Sequence, residues 1–122
     1  MSKLLLILLL PLNMFAQEFI ASGELDNKIA EGITIVEFWA EWNKSNECVY
    51  LSQLNGCQVY KVNVLKCSNI QRKYKVFSLP TLIIFENGKE ITRFVADITF
   101  KLSIDKKGVQ REIDKLTFNR AQ

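Results

Sequence analysis

The spacing of apolar residues changes repeatedly along the chain, and each change predicts an element. Ser22 to Gly32 reads as a short helix, with a serine N-cap, Leu25 and Ile29 one turn apart, and a closing glycine. Ile33 to Trp39 follows as a β-branched and aromatic run too continuous for a half-exposed strand, so it is expected to be buried on both faces. Asn43 to Leu54 has a polar start and Cys48, Leu51 and Leu54 on one face, which predicts a second short helix closed by Asn55-Gly56. Gln58 to Leu65 is a strand rich in valine, and Ser68 can cap a helix through Ile70 and Tyr74 that stops on the approach to Pro80. Thr81–Phe85 and Ile91–Leu102 read as strands joined by Glu86-Asn87-Gly88-Lys89, where Asn-Gly supplies the positive φ angles of a tight hairpin. A closing helix from Ser103 or Asp105 sets Val109, Ile113 and Leu116 on one face. The order is a βαβ half followed by a ββα half, an α/β architecture with a central mixed sheet.

The first 16 residues have a different character. Met1-Ser-Lys3 is a short positive start, Leu4 to Leu12 is nearly all leucine, and Ala16 is a small residue suited to cleavage. This is the pattern of an export signal, so residues 1–16 are expected to be removed and residues 17–122 to form one domain, periplasmic or secreted. The apolar run is about half of what a membrane-spanning helix needs, which makes a retained anchor the weaker reading. Met14 is bulky for its place before the cut and leaves the cleavage position open.

Composition narrows the chemistry. The 122 residues are 48% apolar and 24% charged, which suits one folded domain. The net charge of +3 falls to +2 once Lys3 is lost, too small to support a nucleic-acid or anionic-membrane partner. Histidine is absent, which removes Ser–His and Cys–His pairs and the commonest metal ligand. The three cysteines, Cys48, Cys57 and Cys67, contain no C-x-x-C pair and fit neither a zinc knuckle nor a full disulfide framework. No metal or cofactor is expected.

Two motifs, in order, carry a resemblance. Val36-Glu37-Phe38-Trp39-Ala40-Glu41-Trp42, then Ser78-Leu79-Pro80-Thr81 running into Leu82–Gly88, with Lys61–Val64 between them, strongly resemble the thioredoxin family from about Leu25 to Leu116. The resemblance implies a thioredoxin-like fold of four to five strands flanked by helices. It also implies that Pro80 is cis and that the backbone of Leu79 pairs with an extended partner segment. Trp42, Leu79, Pro80 and Thr81 are then the candidate binding residues.

The chain departs from that family just after Trp42. Where the family has Cys-x-x-Cys, this sequence has Asn43-Lys44-Ser45-Asn46. Disulfide exchange needs a thiolate at a helix N-terminus and a second thiol to resolve the mixed disulfide, and an amide is neither. Asn43 is expected instead to cap the following helix. Cys48 is two residues beyond Asn46, a rotation of about 200° on a helix, and reads as core. Disulfides Cys48–Cys67 and Cys48–Cys57 remain open, whereas Cys57–Cys67 would span most of a strand. By the resemblance, Glu37 occupies the place of the buried acid that serves the dithiol, and Lys61 that of a lysine beside it. With the cysteines gone, a structural ion pair is expected. The chain from Trp42 to Asn63 is also about seven residues shorter than usual for the family, so the helix between should lose roughly two turns.

The leading reading is an exported, redox-inactive thioredoxin-like domain, not an enzyme, that holds an extended partner peptide beside Pro80. The alternatives are an atypical thiol–disulfide oxidoreductase in redox homeostasis using Cys48 or Cys67, and a subunit or stability role with no peptide site; the oligomeric state is left open.

Overall fold

The computed structural model of the chain describes residues 18, 19 and 23–121. The expected signal segment and the Ser22 cap lie outside them. The elements are β1 (Glu18–Phe19), α1 (Leu25–Lys28), β2 (Ile33–Trp39), β3 (Gln58–Asn63), α2 (Ser68–Lys73), β4 (Thr81–Glu86), β5 (Lys89–Val95) and α3 (Lys106–Ala121). Among the described residues they form a five-stranded sheet in the order β1-β3-β2-β4-β5. β2 runs parallel to β3 and antiparallel to β4, so the two halves of the chain meet along the central strand.

β2 is buried at all seven positions, because both faces of the sheet are covered. Val36, Phe38 and Ala40 point to one side, where Leu25, Ile29 and Ile70 bring α1 and α2 against Ile83 and Phe85. Ile33 and Ile35 point to the other, where Leu51, Leu54, Val109 and Ile113 pack on Leu82 and Ile84. The alternation of a central strand thus separates two cores. At the hairpin, Asn87 and Gly88 take φ of 51° and 84°. Asn87 also exchanges hydrogen bonds with Gly32, its side chain accepting from Gly32 N–H at 2.8 Å.

Several expected elements differ. No α-helix forms over Asn43–Leu54; two short 3-10 turns, Glu41–Asn46 and Leu51–Gln53, take its place. Asn43 breaks the helical backbone at φ −115°, and the Cys48 N–H is spent on the Glu37 carboxylate at 2.8 Å instead of on a helical carbonyl. The expected strand to Leu102 ends at Val95: the Ala96 N–H still bonds in register to the Pro80 carbonyl at 3.1 Å, but proline has no N–H to return, and the chain then closes on itself through the Asp97 N–H and the Lys101 carbonyl at 2.9 Å. Ser68 is the first residue of α2, not its cap. Among the described residues no helix is long and apolar enough to cross a membrane.

Candidate functional site

The C-terminal ends of β2, β3 and β5 lie beside the start of β4, since Phe38 and Val95 both pair with Thr81 and Trp39 pairs with Asn63. Segments leaving these strands therefore crowd together at one end of the sheet. The Val64 N–H reaching the Trp39 carbonyl at 2.9 Å helps to hold them. Loop clusters of this kind are the usual seat of function in sheets with parallel strands.

Asn43 stands at the centre of this end and is buried. It is not the N-cap expected from sequence: Ala40 is the flanking residue of the 3-10 turn, and the Asn43 side chain makes no capping bond. Its amide nitrogen donates instead to two carbonyls, Leu79 at 3.2 Å and Phe100 at 3.1 Å. The Asn46 amide donates to the Asn43 side-chain oxygen at 2.7 Å. The two asparagines thus form one amide chain that ties the Trp42 turn to the Leu79–Pro80 peptide, which is cis, and to the segment after β5.

That last segment is a tight turn. One Asp97 carboxylate oxygen accepts from the Thr99 N–H at 2.7 Å, the Lys101 N–H at 3.3 Å and the Thr99 hydroxyl. Those hydrogen bonds, led by the Thr99 hydroxyl, hold the Asp97 carboxyl below its ordinary range. Phe100 adopts φ +63° and sets its ring edge-on to Trp42, with centroids 5.4 Å apart.

Between these segments lies an open groove of about 480 Å³. Nine large apolar side chains are exposed among the described residues, and five of them, Trp42, Leu65, Phe77, Ile98 and Phe100, border this groove. Phe77 and Ile98 are 85% and 94% exposed, far more than packing alone would leave. Of the four candidate binding residues, Trp42 and Leu79 line the groove. Pro80 and Thr81 do not: both are buried behind it, and the Thr81 hydroxyl is spent on the Ser78 carbonyl at 2.7 Å. Phe77 and Phe100 were missed from sequence. The signal for Phe77 was an aromatic residue off the α2 face immediately before the Ser78-Leu79-Pro80 motif.

Glu37 lies beneath the 3-10 segment, fully buried. Its neighbour across the strands is Lys61, 3.8 Å away. The expected pair is therefore loose, and the Lys61 ammonium makes its close contact with Glu47, a partner that no sequence pattern announced. The ammonium also sits over the Trp39 ring at 4.7 Å. Burial raises the Glu37 carboxyl to about 7, opposed by the Cys48 N–H and by Lys61.

The cysteines do not converge. All three are free; Cys48 belongs to the core on the α3 side of the sheet and Cys67 to the core on the α2 side, which removes the Cys48–Cys67 disulfide left open above. Burial raises the Cys48 and Cys57 thiols to about 11, the direction opposite to activation. Among the described residues no group of three or more Cys, Asp or Glu is arranged to hold a metal ion.

The family model for thioredoxin matches residues 17–106. A thioredoxin from Chlamydia pneumoniae is 34% identical over 86 residues, covering 64% of this chain and 82% of that protein. Thioredoxin-2 from Saccharomyces cerevisiae is 31% identical over 83 residues, covering 62% and 80%. Among solved structures, a thioredoxin variant from Halobacterium salinarum superposes with a TM-score of 0.69 at 20% identity, covering 86% of this chain and 94% of that one. A Malassezia sympodialis thioredoxin gives 0.62 at 21%, covering 87% and 95%. With these matches spanning the sheet, the Trp42 turn and the Leu79–Pro80 loop, the chain belongs to the thioredoxin family.

Proposed function

We propose that this chain is an exported, redox-inactive member of its family that binds an extended apolar segment of a partner protein in the groove beside Leu79 and Pro80. The observation that carries the reading is the Asn43 amide. It fills the place of a nucleophile, is buried, and donates both of its hydrogen bonds to backbone carbonyls. An amide so engaged has no route to thiol exchange. The ring of exposed apolar side chains next to it offers the aromatic anchors from which peptide affinity is built. Export rests on the leucine-rich pattern of residues 1–16. The alternative reading, thiol chemistry through Cys48 or Cys67, is disfavoured because both are buried and the Cys48 thiol is pushed up to about 11.

Two measurements test the proposal. Insulin reduction by dithiothreitol should run no faster with the protein than without it; acceleration that is lost in a Cys48→Ser/Cys67→Ser variant would establish the thiol reading instead. A fluorescent peptide with an aromatic–aliphatic core and neutral serine flanks should bind the full chain. Phe77→Ser or Trp42→Ala, both at exposed positions, should weaken it about 10-fold. Absence of peptide binding by the wild-type chain would sink the groove as a recognition site.

A further inference from the structure

We infer that Asn55 is a site of spontaneous deamidation in the folded protein, and that Asn87, in the same dipeptide, is held unreactive. The chain contains two Asn-Gly pairs, Asn55-Gly56 and Asn87-Gly88. Deamidation begins when the backbone nitrogen after an asparagine attacks its side-chain carbonyl carbon, and glycine, which has no Cβ, hinders that approach least. Exposure and backbone region do not separate the two pairs. All four residues are exposed, and the glycines take φ of 85° and 84°.

Hydrogen bonding does separate them. Asn87 Oδ1 accepts from the Gly32 N–H at 2.8 Å, and the Asn87 N–H donates to the Gly32 carbonyl at 2.9 Å. The turn is also closed by the Glu86–Lys89 pair of the β4–β5 ladder. Swinging the Asn87 side chain onto the Gly88 nitrogen breaks its bond to Gly32, so reaction there waits on a local opening. At Asn55 the main chain alone is held: its N–H donates to Gln110 Oε1 and its carbonyl accepts from Gln110 Nε2, each at 2.9 Å. Among the described residues the Asn55 side chain has no hydrogen-bond partner and the Gly56 N–H has no acceptor. Both reacting atoms are therefore unbound, in irregular chain between the Leu51–Gln53 turn and β3.

The Gly56 nitrogen gives up its proton to hydroxide and bonds to Asn55 Cγ. The Cγ–Nδ2 bond breaks, ammonia leaves, and a five-membered imide closes. Water then opens one of the two imide C–N bonds. Opening at Cγ gives an aspartyl residue; opening at the main-chain carbonyl gives an isoaspartyl residue, whose main chain runs through the former side chain. Nothing is oxidised or reduced. In the isoaspartyl product the carbonyl that accepts from Gln110 Nε2 becomes a carboxylate. The same nitrogen donates to Asp114 Oδ1 at 3.0 Å, so two anions meet on one amide and the clamp between α3 and this loop weakens.

The full chain is incubated near pH 8.5, folded and in concentrated urea, then digested with pepsin at low pH for mass spectrometry. In the folded chain the peptide containing Asn55 should gain one mass unit, and Asn55→Gln, whose longer side chain closes a less favourable ring, should stop the gain. Asn87 should react at least about 10-fold more slowly than Asn55 while the chain is folded. In urea the two sites should react at similar rates. No gain at Asn55 in the folded chain, over a time in which the unfolded chain reacts, would overturn the inference. Equal rates at Asn55 and Asn87 in the folded chain would overturn it as well. A gap that persists unchanged in urea would do the same, by assigning the difference to neighbouring sequence and not to the Gly32 bonds.

Discussion

Asn43 is the residue on which the site end of the molecule depends. One side-chain nitrogen satisfies carbonyls from two segments that are 36 and 57 residues away in sequence. Asn43→Ala leaves both acceptors without that donor in a partly dry setting. We expect a loss of about 1–3 kcal/mol in urea denaturation. Asn43→Asp is more informative, because a carboxylate cannot donate and faces two carbonyl oxygens. Its deficit should exceed that of the alanine variant at pH 8 and shrink as the carboxyl protonates at low pH; equal deficits at all pH values would mean that the amide hydrogen bonds contribute little. Glu37 makes a second prediction at this scale. Its folded value of about 7 lies above the ordinary 4.5, so the folded state binds the proton more tightly than the unfolded one. Stability from this group is complete below the unfolded value and is lost as pH rises from 4.5 to 7, by about 3 kcal/mol in all. Glu37→Gln keeps an acceptor for the Cys48 N–H and removes the titration. Its denaturation midpoint should exceed that of the wild type at pH 8 and match it near pH 4.5. A variant no more stable at pH 8 would show that attraction to Lys61 offsets the burial.

At the scale of elements, the strongest local patterns gave elements that stand in the fold. The continuous run Ile33–Trp39 is β2, and Asn87-Gly88 turns the β4–β5 hairpin. The misreadings come from backbone hydrogen bonding that residue spacing does not record. Cys48 N–H bonds to Glu37 and not to a helical carbonyl, so a pattern with helical spacing becomes 3-10 turns. Pro80 has no N–H with which to carry the β4–β5 ladder further, and the Asp97 N–H turns to the Lys101 carbonyl, so the β-branched and aromatic residues Ile98, Thr99 and Phe100 leave the sheet despite their strand propensity. Among the described residues the two-residue strand β1 pairs with β3 alone, and it is too short for periodicity to reveal. The turn after β5 gives the prediction that belongs here. Asp97→Ala removes the acceptor for the Thr99 and Lys101 N–H groups, and hydrogen exchange at those two amides should accelerate by about 10-fold or more. Exchange in β4 should not change. Uniform acceleration across the sheet would mean that the turn is part of the global fold and not a local clasp.

For the whole molecule, the sequence by itself determined the sheet, the two-sided burial of β2 and the absence of a C-x-x-C pair, because these depend on local spacing and residue identity. It also brought Trp42 and Leu79 to one end of the fold, through the order of the motifs and their resemblance to a family. Tertiary structure alone decided what that end is made of. Asn43 became a tie between loops and not a cap, Lys61 turned to Glu47, and Pro80 and Thr81 withdrew behind a groove edged by Phe77, Ile98 and Phe100. The physical reason is range. A hydrogen-bond donor or an aromatic ring is indifferent to sequence separation and takes the partner that the folded chain brings within reach, and no periodicity along the chain records which partner that is.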